Sequence, residues 1–554
     1  MNISEAIVNT LISEKIDTIF GLPGSQIIPV YGAIINNSSS IKHILLRHEQ
    51  GAGFAAMGYA LTTNKPGVVM VMPGPGVTNL VSAIAEAYYQ SVPMVIITAD
   101  HPRKNLGSEA FHELDSFTML KPVTKLILNP QKAVEVIPAI QKAILYSKDG
   151  KPGPVYINIP AHLLKEEIKA GNISQKPVVR NRKPKVDKVK LRKVAELLEK
   201  SKSPIIFAGS GVLRAEATSE LQKLAEKLQI PVMTTLGGKG AIPESHPLSI
   251  ASPSFDFSFE YLTEADLALV IGARLNPVNT KMETLNLPKT IVRVDASPEK
   301  KSKYKVTLNI KSDCREFLAE LLKEIDKKKI VPKKNRIMEK FSSALIDYRN
   351  YYEQASKSDN GLISPPALFK KLSEILRGKD FIFLSDSVWI PSTYLFPKIL
   401  KPYSFACIRS FGCLGFAFPA GIGAAVANPQ KKIISLSGDG AFLFNCQEIA
   451  SCTDYSLKNL YQIIMVNDGY GSIKELEKNM LQGKSTAVDW KPIDFLKLAE
   501  GFGAKGFLIR NENELEDILF KALRENGPSV IAVRVKNMPT LRKDVMQKLL
   551  KKAI

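Results

Sequence analysis

The chain has 554 residues, 45% hydrophobic and 23% charged, the profile of an ordinary globular protein and not of a disordered or fibrous one. Single cores rarely grow past ~250–300 residues, so several domains are expected, and no apolar run reaches the ~18 residues that a membrane helix needs. The net charge of +21 raises nucleic acid as a partner, but the basic stretches do not interleave aromatic residues with their lysines as single-strand binders do, so neither nucleic acid nor membrane is expected as a partner.

The N-terminus, MNISEAIVNTLISEKIDTIFGLPG, reads as an amphipathic helix running into a turn and not as a cleaved signal. Short apolar runs follow, GVVMVM (67–72) and PMVIIT (93–98), alternating with helical segments such as NLVSAIAEAYYQ (79–90). That alternation predicts parallel strands with crossover helices. The proline-bearing basic stretch 176–193 reads as an exposed linker. Beyond it the pattern repeats in SPIIFAG (203–209), IPVMTT (230–235), ADLALVIG (265–272) and TIVRVDA (290–296). A second basic stretch, KEIDKKKIVPKKNR (323–336), reads as another linker. Four more strand-like runs come after it: KDFIFLS (379–385), KKIISLS (431–437), YQIIMVN (461–467) and PSVIAVRV (528–535). The expected fold is therefore α/β, three open parallel-sheet domains over 1–175, 190–325 and 360–554. The five cysteines make no CxxC and no disulfide-scaffold spacing, which fits a reducing cytoplasm.

In open parallel sheets ligands bind beyond the carboxyl ends of the strands, and SGDGAFLFN (437–445) stands at such an end. Alone, an aspartate between two glycines is more often a turn with a helix cap. Here Asn467 follows Asp439 by 28 positions, one strand–helix–strand unit, so two neighbouring strands can bring both side-chain oxygens to one cation. A carboxylate, an amide oxygen and a backbone carbonyl are hard ligands suited to Mg²⁺, which keeps its other positions for phosphate oxygens and water. The glycines of NDGYG (467–471) can turn that carbonyl inward, and the helix opened by GDGAF offers amides to a phosphate.

GDGAFLFN followed by VNDGYG resembles the diphosphate-and-magnesium motif of thiamine-diphosphate-dependent enzymes. The resemblance covers almost the whole chain, in the order of the group containing acetolactate synthase, pyruvate oxidase and benzoylformate decarboxylase: FGLPGSQIIPVYGAI (20–34), LRHEQGAGFAAMGYA (46–60), MPGPGVTN (72–79), PIIFAGSGV (204–212), GARL (272–275) and GCLGFAFPAGIGAA (412–425). It implies a pyrimidine-binding, a central and a diphosphate-binding domain, with thiamine diphosphate and Mg²⁺ as cofactors. Glu49 then matches the glutamate beside the cofactor's pyrimidine that promotes loss of the C2 proton. Leu414 matches the bulky apolar residue beneath the cofactor, its flanking glycines suggesting a backbone pressed against a ligand. Asp439, Asn467 and the Gly469 carbonyl take the metal positions. Pro23, Gly24, Asn79, Gly412, Gly438, Gly440, Ala441, Tyr470 and Gly471 fall at cofactor-contacting positions. The family places its cofactor between the first domain of one subunit and the third of another, which implies a homodimer or tetramer with the active site at the interface. A regulatory subunit is a further partner the resemblance brings.

The implied activity is decarboxylation of a 2-oxo acid with carboligation, acetolactate synthase-like. The alternatives are a simple decarboxylase, a 2-hydroxyacyl-CoA lyase-like enzyme or a non-catalytic regulatory homologue. Several positions depart from the synthases. AFHELD puts His112 where they carry glutamine, a histidine able to relay a proton or hydrogen-bond a carboxylate, and a structural histidine serves equally well there. Ala161 and His162 replace a lysine and an aspartate, while Val278 and Leu476 fall near an arginine and a tryptophan that select the second keto acid. FAD is left open, because 250–267 lacks the glycine-histidine-glycine segment of flavin-binding relatives and 385–394 lacks the synthases' glutamine-histidine pair.

Overall fold

The computed structural model describes residues 1–101, 107–168, 185–250, 262–280, 283, 285–297, 303–355, 361–387, 397–408 and 410–538. They form three six-stranded sheets, and every pairing between named strands is parallel. The first sheet holds β1 (Thr18–Gly21), β2 (Lys42–Leu45), β3 (Gly67–Met70), β4 (Met94–Asp100), β5 (Leu126–Leu128) and β6 (Pro154–Pro160). The second holds β7 (Pro204–Ala208), β8 (Val232–Thr234), β9 (Ser249–Ile250), β10 (Leu267–Ile271), β11 (Thr290–Asp295) and β12 (Leu308–Lys311). The third holds β13 (Phe381–Ser385), β14 (Phe405–Cys407), β15 (Lys432–Gly438), β16 (Leu460–Val466), β17 (Lys505–Ile509) and β18 (Ser529–Arg534). The central strands β3, β4, β6, β10 and β16 are buried along their whole length, because helices cover both faces of a parallel sheet and leave no side for water.

The first and third sheets share one strand order, β2-β1-β3-β4-β6-β5 and β14-β13-β15-β16-β18-β17. Each therefore has its switch point where the first strand meets the third, the position at which such sheets open a crevice. The second sheet, β12-β11-β10-β7-β8-β9, has the order of dinucleotide-binding sheets, although GSGVLRAE (209–216) lacks their full glycine fingerprint. At its switch point Gly211 N–H donates to the Gly272 carbonyl at 3.0 Å.

The first and third domains share a core built around two crossing helices, Glu49–Thr63 and Ala417–Ala427. Both are rich in glycine and alanine, and the backbones nearly touch. A Cβ on Gly58 would lie 2.0 Å from the Ala420 carbonyl oxygen, and one on Gly423 would lie 1.8 Å from that of Ala55.

Both basic stretches, expected as linkers, are helical in part, while 185–187 and 330–335 are irregular. Residues 188–193 start the helix Lys188–Lys200, and 323–328 finish the helix Cys314–Lys328, where Ile325 is fully buried. Their lysines line the outer face of helices at apolar spacing, which charge counting alone mistakes for a solvated connector. Residues 176–184 and the basic tail 541–554 lie outside the described residues, as do most of the two segments weighed for FAD. All five cysteines are free thiols. Among the described residues no helix is long and apolar enough to cross a membrane.

Candidate functional site

At the switch point of the third sheet, β13, β15 and β16 end side by side, and a cleft opens there. Asp439, 1% exposed, enters it from the end of β15. Its Oδ2 accepts from the backbone N–H of Asn467 at 3.1 Å and of Asp468 at 2.7 Å, and its Oδ1 accepts from Gly440 N–H at 2.9 Å. Burial pushes this carboxyl up to about 6, against the lowering pull of those amides. A cation would reverse that balance.

The Asn467 side-chain amide lies 2.9 Å from the Gly469 carbonyl oxygen and 3.2 Å from Asp439 Oδ1. A carboxylate, an amide and a backbone carbonyl thus converge at one corner of the cleft. Either end of the amide can face the other two groups, its NH₂ hydrogen-bonding both oxygens or its oxygen joining them as a hard ligand. In the second orientation the donor set fits Mg²⁺. Among the described residues no cluster of three His, Cys, Asp or Glu could hold a metal ion.

The loop that shapes this site differs from expectation in one respect. Asp468, not a glycine, takes the left-handed backbone, with φ 55°, as aspartate tolerates. Gly469 is needed for space, since a Cβ there would lie 2.5 Å from the Val488 carbonyl oxygen. Gly440 likewise makes room for Tyr470, whose ring would lie 2.6 Å from an added Cβ and which stands edge-on to Trp490. The helix opened by GDGAF is a single turn, Asp439–Phe442, and its first amide is taken by Asp439 itself. The longer helix Gly471–Met480 instead opens onto the cleft through Gly471 and Ser472.

Gly438, Ala441 and Leu414 also line the cleft, Leu414 being 38% exposed. Of its flanking glycines, Gly415 (φ 84°) is pressed against Phe444 and Asn445, whereas Gly412 (φ 93°) faces open space. So only one of the two makes a close approach, and it is to the protein's own chain. Asp386, held up to about 6 by burial, lines the same cleft from the end of β13 and went unread in the sequence.

Glu49 does not reach this cleft within one chain. It begins the helix after β2, is 8% exposed, and its Oε2 accepts from Asn79 Nδ2 at 3.0 Å. Gly76 leaves space beside Oε1, where an added Cβ would come within 3.5 Å. Pro23 and Gly24 follow β1, and Gly24 lies over Met72 after β3, so this second cluster occupies the switch point of the first sheet. His112 (φ 73°) packs its backbone against Gly74, and its Nδ1 is buried with no hydrogen-bond partner among the described residues. Val278 is 36% exposed after β10, and Leu476 is on the helix that opens onto the cleft.

Two buried carboxylates that the sequence reading missed join the clusters. Glu448, from the third domain, accepts from the backbone N–H groups of Arg47 (3.0 Å) and His48 (3.0 Å), the residues just before Glu49. Burial pushes it up to about 7 despite those amides. Glu86, from the first domain, accepts from the backbone N–H groups of Phe411 (3.3 Å), Gly412 (2.8 Å) and Cys413 (3.2 Å), just before Leu414.

Comparison with known proteins agrees with this geometry. Residues 1–119 match the thiamine pyrophosphate enzyme N-terminal TPP binding domain, 191–321 the central domain, and 391–533 the C-terminal TPP binding domain. The chain is 33% identical to a probable acetolactate synthase large subunit of Methanocaldococcus jannaschii and 32% identical to one of Methanococcus aeolicus, in each case over 96% of this chain and 91% of the relative. It is 31% identical to the acetolactate synthase isozyme 1 large subunit of Escherichia coli, over 96% of this chain and 93% of that one.

Proposed function

The chain belongs to the thiamine pyrophosphate enzyme family, and from that premise we propose that it decarboxylates a 2-oxo acid and ligates the fragment to an acceptor, as an acetolactate synthase-like catalyst. In this reading 1–175 is the pyrimidine-binding domain, 190–325 the central domain and 360–554 the diphosphate- and Mg²⁺-binding domain of a cytoplasmic homo-oligomer. The relatives' description as large subunits supports a regulatory subunit as a further partner.

Thiamine diphosphate, when bound, supplies the electron sink for breaking the bond to the substrate carboxylate. The protein's part is to hold, orient and move protons. The side chains of Asp439 and Asn467 and the Gly469 carbonyl would hold Mg²⁺ against the diphosphate. Leu414, exposed in the cleft, would support the bend of the cofactor, with Gly438, Gly440, Ala441, Tyr470 and Gly471 around the diphosphate. Pro23, Gly24 and Gly412 would contact the pyrimidine half. Glu49 keeps Oε2 engaged by Asn79 and has Oε1 to exchange a proton with the pyrimidine ring. General acid–base help of this kind is typically worth ~10²–10⁴-fold. His112, with its unengaged Nδ1, would meet the substrate carboxylate or relay a proton.

The observation that carries the reading is the buried, Asn79-held carboxyl of Glu49. A homologue that only binds nucleotide has no use for an acid there. With Val278 and Leu476 at the acceptor side, preference for a second carboxylate-bearing acceptor falls about tenfold to a hundredfold, because one charge-assisted hydrogen bond is worth roughly 1.5–3 kcal/mol. Incubation with pyruvate, 2-oxobutyrate and benzoylformate separately, with cofactor and Mg²⁺, tests this. Release of CO₂ from at least one is expected, with aldehyde or ligation to an uncharged acceptor competing with acetolactate formation. Release from none returns the chain to the regulatory reading, and acetolactate as nearly the sole product refutes the altered acceptor side.

A further inference from the structure

Glu448 and Glu86 are both fully buried, and neither reaches the cleft. A buried carboxylate is costly unless several donors satisfy it, and each of these is satisfied by backbone amides of the opposite domain. Glu448 also accepts from Ser451 Oγ at 3.0 Å, and Gly51 leaves it room, since a Cβ there would lie 2.5 Å from Glu448 Oε1. Glu86 is further held by Gln90 Nε2 at 2.9 Å and stands two helical turns after Asn79 on the helix Pro75–Gln90. Between them Asn445 Nδ2 donates to the Gly415 carbonyl at 2.8 Å and to Gln50 Oε1 at 3.2 Å. One continuous polar seam therefore runs from the residues beside Glu49 to the residues beside Leu414.

The geometry points to a reciprocal brace: Glu448 is a positioning residue for Glu49, Glu86 is a positioning residue for the Leu414 loop, and together they fix two half-sites of one chain that serve different active centres. This rests on the proposed cofactor site and on its sharing between two subunits. Within one chain Glu49 is absent from the Asp439 cleft, so the brace joins halves of separate centres. The need for it is local. The segment 411–415 carries two glycines at positive φ and has little stiffness of its own, and Glu86 gathers three consecutive amides of it.

The test uses Glu448→Gln, which keeps the shape but turns an acceptor into a donor facing the two amides, and reads hydrogen–deuterium exchange at C2 of bound thiamine diphosphate with Mg²⁺. Exchange is expected to slow at least tenfold with cofactor affinity changed less than twofold, and Glu86→Gln is expected to do the same. A merely structural role would move affinity and melting temperature together instead. Co-expressed heterodimers sharpen the result. With Glu448→Gln and Asp439→Ala on one chain and a wild-type partner, the sole cofactor-binding centre uses the unbraced Glu49 and exchange is slow. With one change on each chain, that centre uses a braced Glu49 and exchange is at the wild-type rate. Equal rates in the two arrangements, or slowing only in the second, overturn the inference while leaving the cofactor reading intact. A wild-type protein that neither binds the cofactor nor exchanges C2 overturns both.

Discussion

Asp439 and Glu49 are both buried carboxyls, yet their surroundings assign them different work. Asp439 accepts from three backbone amides and lies beside the Asn467 amide, which reaches on to the Gly469 carbonyl, the three groups proposed to hold a cation. Glu49 has Oε2 engaged by the Asn79 amide and is proposed to trade a proton through Oε1. Asp439→Ala is therefore expected to abolish Mg²⁺-dependent cofactor binding in calorimetric titration, and equal affinity with and without the change would make GDG only a turn. Glu49→Gln is expected to leave that affinity largely intact and slow C2 exchange by ~10²–10⁴-fold; an unchanged rate would remove Glu49 from the mechanism. Glu448 carries a pH signature of its own. Its carboxyl lies near 7 in the folded chain against 4.5 unfolded, so the folded state favours its protonated form. The stability this contributes is complete below about 4.5 and is lost as pH rises through 7, amounting to about 3 kcal/mol. Denaturant midpoints of the cofactor-free protein should fall from pH 5 to pH 8, and Glu448→Gln should flatten part of that fall. A variant with the same slope as wild type would show that burial does not raise this group.

The crossing of helices Glu49–Thr63 and Ala417–Ala427 sets the distance between the two half-sites, and small residues permit it. Gly423→Ala places a methyl on the Ala55 carbonyl oxygen and is expected to destabilise the chain by about 1–3 kcal/mol in urea unfolding; a neutral change would mean the helices have slack. At this scale the sequence was most readable. Apolar runs such as YQIIMVN and TIVRVDA declared β16 and β11 because a buried parallel strand needs no polar face. GDG with Asn467 declared a shared strand-end corner because its partners lie on adjacent strands of one domain. Glu86 and Glu448 were not legible. Each looks like an ordinary helical glutamate, and its significance comes from amides 325 to 327 and 400 to 401 positions away. The lysine-rich 323–328 misled for the complementary reason: composition reported the exposed face and hid Ile325 beneath it.

Across the whole molecule, the first and third sheets repeat one strand order and each places a half-site at its switch point. The Rossmann-ordered central sheet stands between them in the chain. No single chain brings Glu49 to the Asp439 cleft, and this is what makes the assembly, not the protomer, the catalytic unit in this account. The decisive measurement mixes two inactive variants, Glu49→Gln and Asp439→Ala, by co-expression and follows CO₂ release from a 2-oxo acid that the wild type consumes. Each homodimer should be silent, and the heterodimer should recover about one working centre in every two, built from the intact Glu49 of one chain and the intact Asp439 of the other. A heterodimer as silent as its parents would contradict the account, placing both residues in one centre within one chain or neither in the reaction.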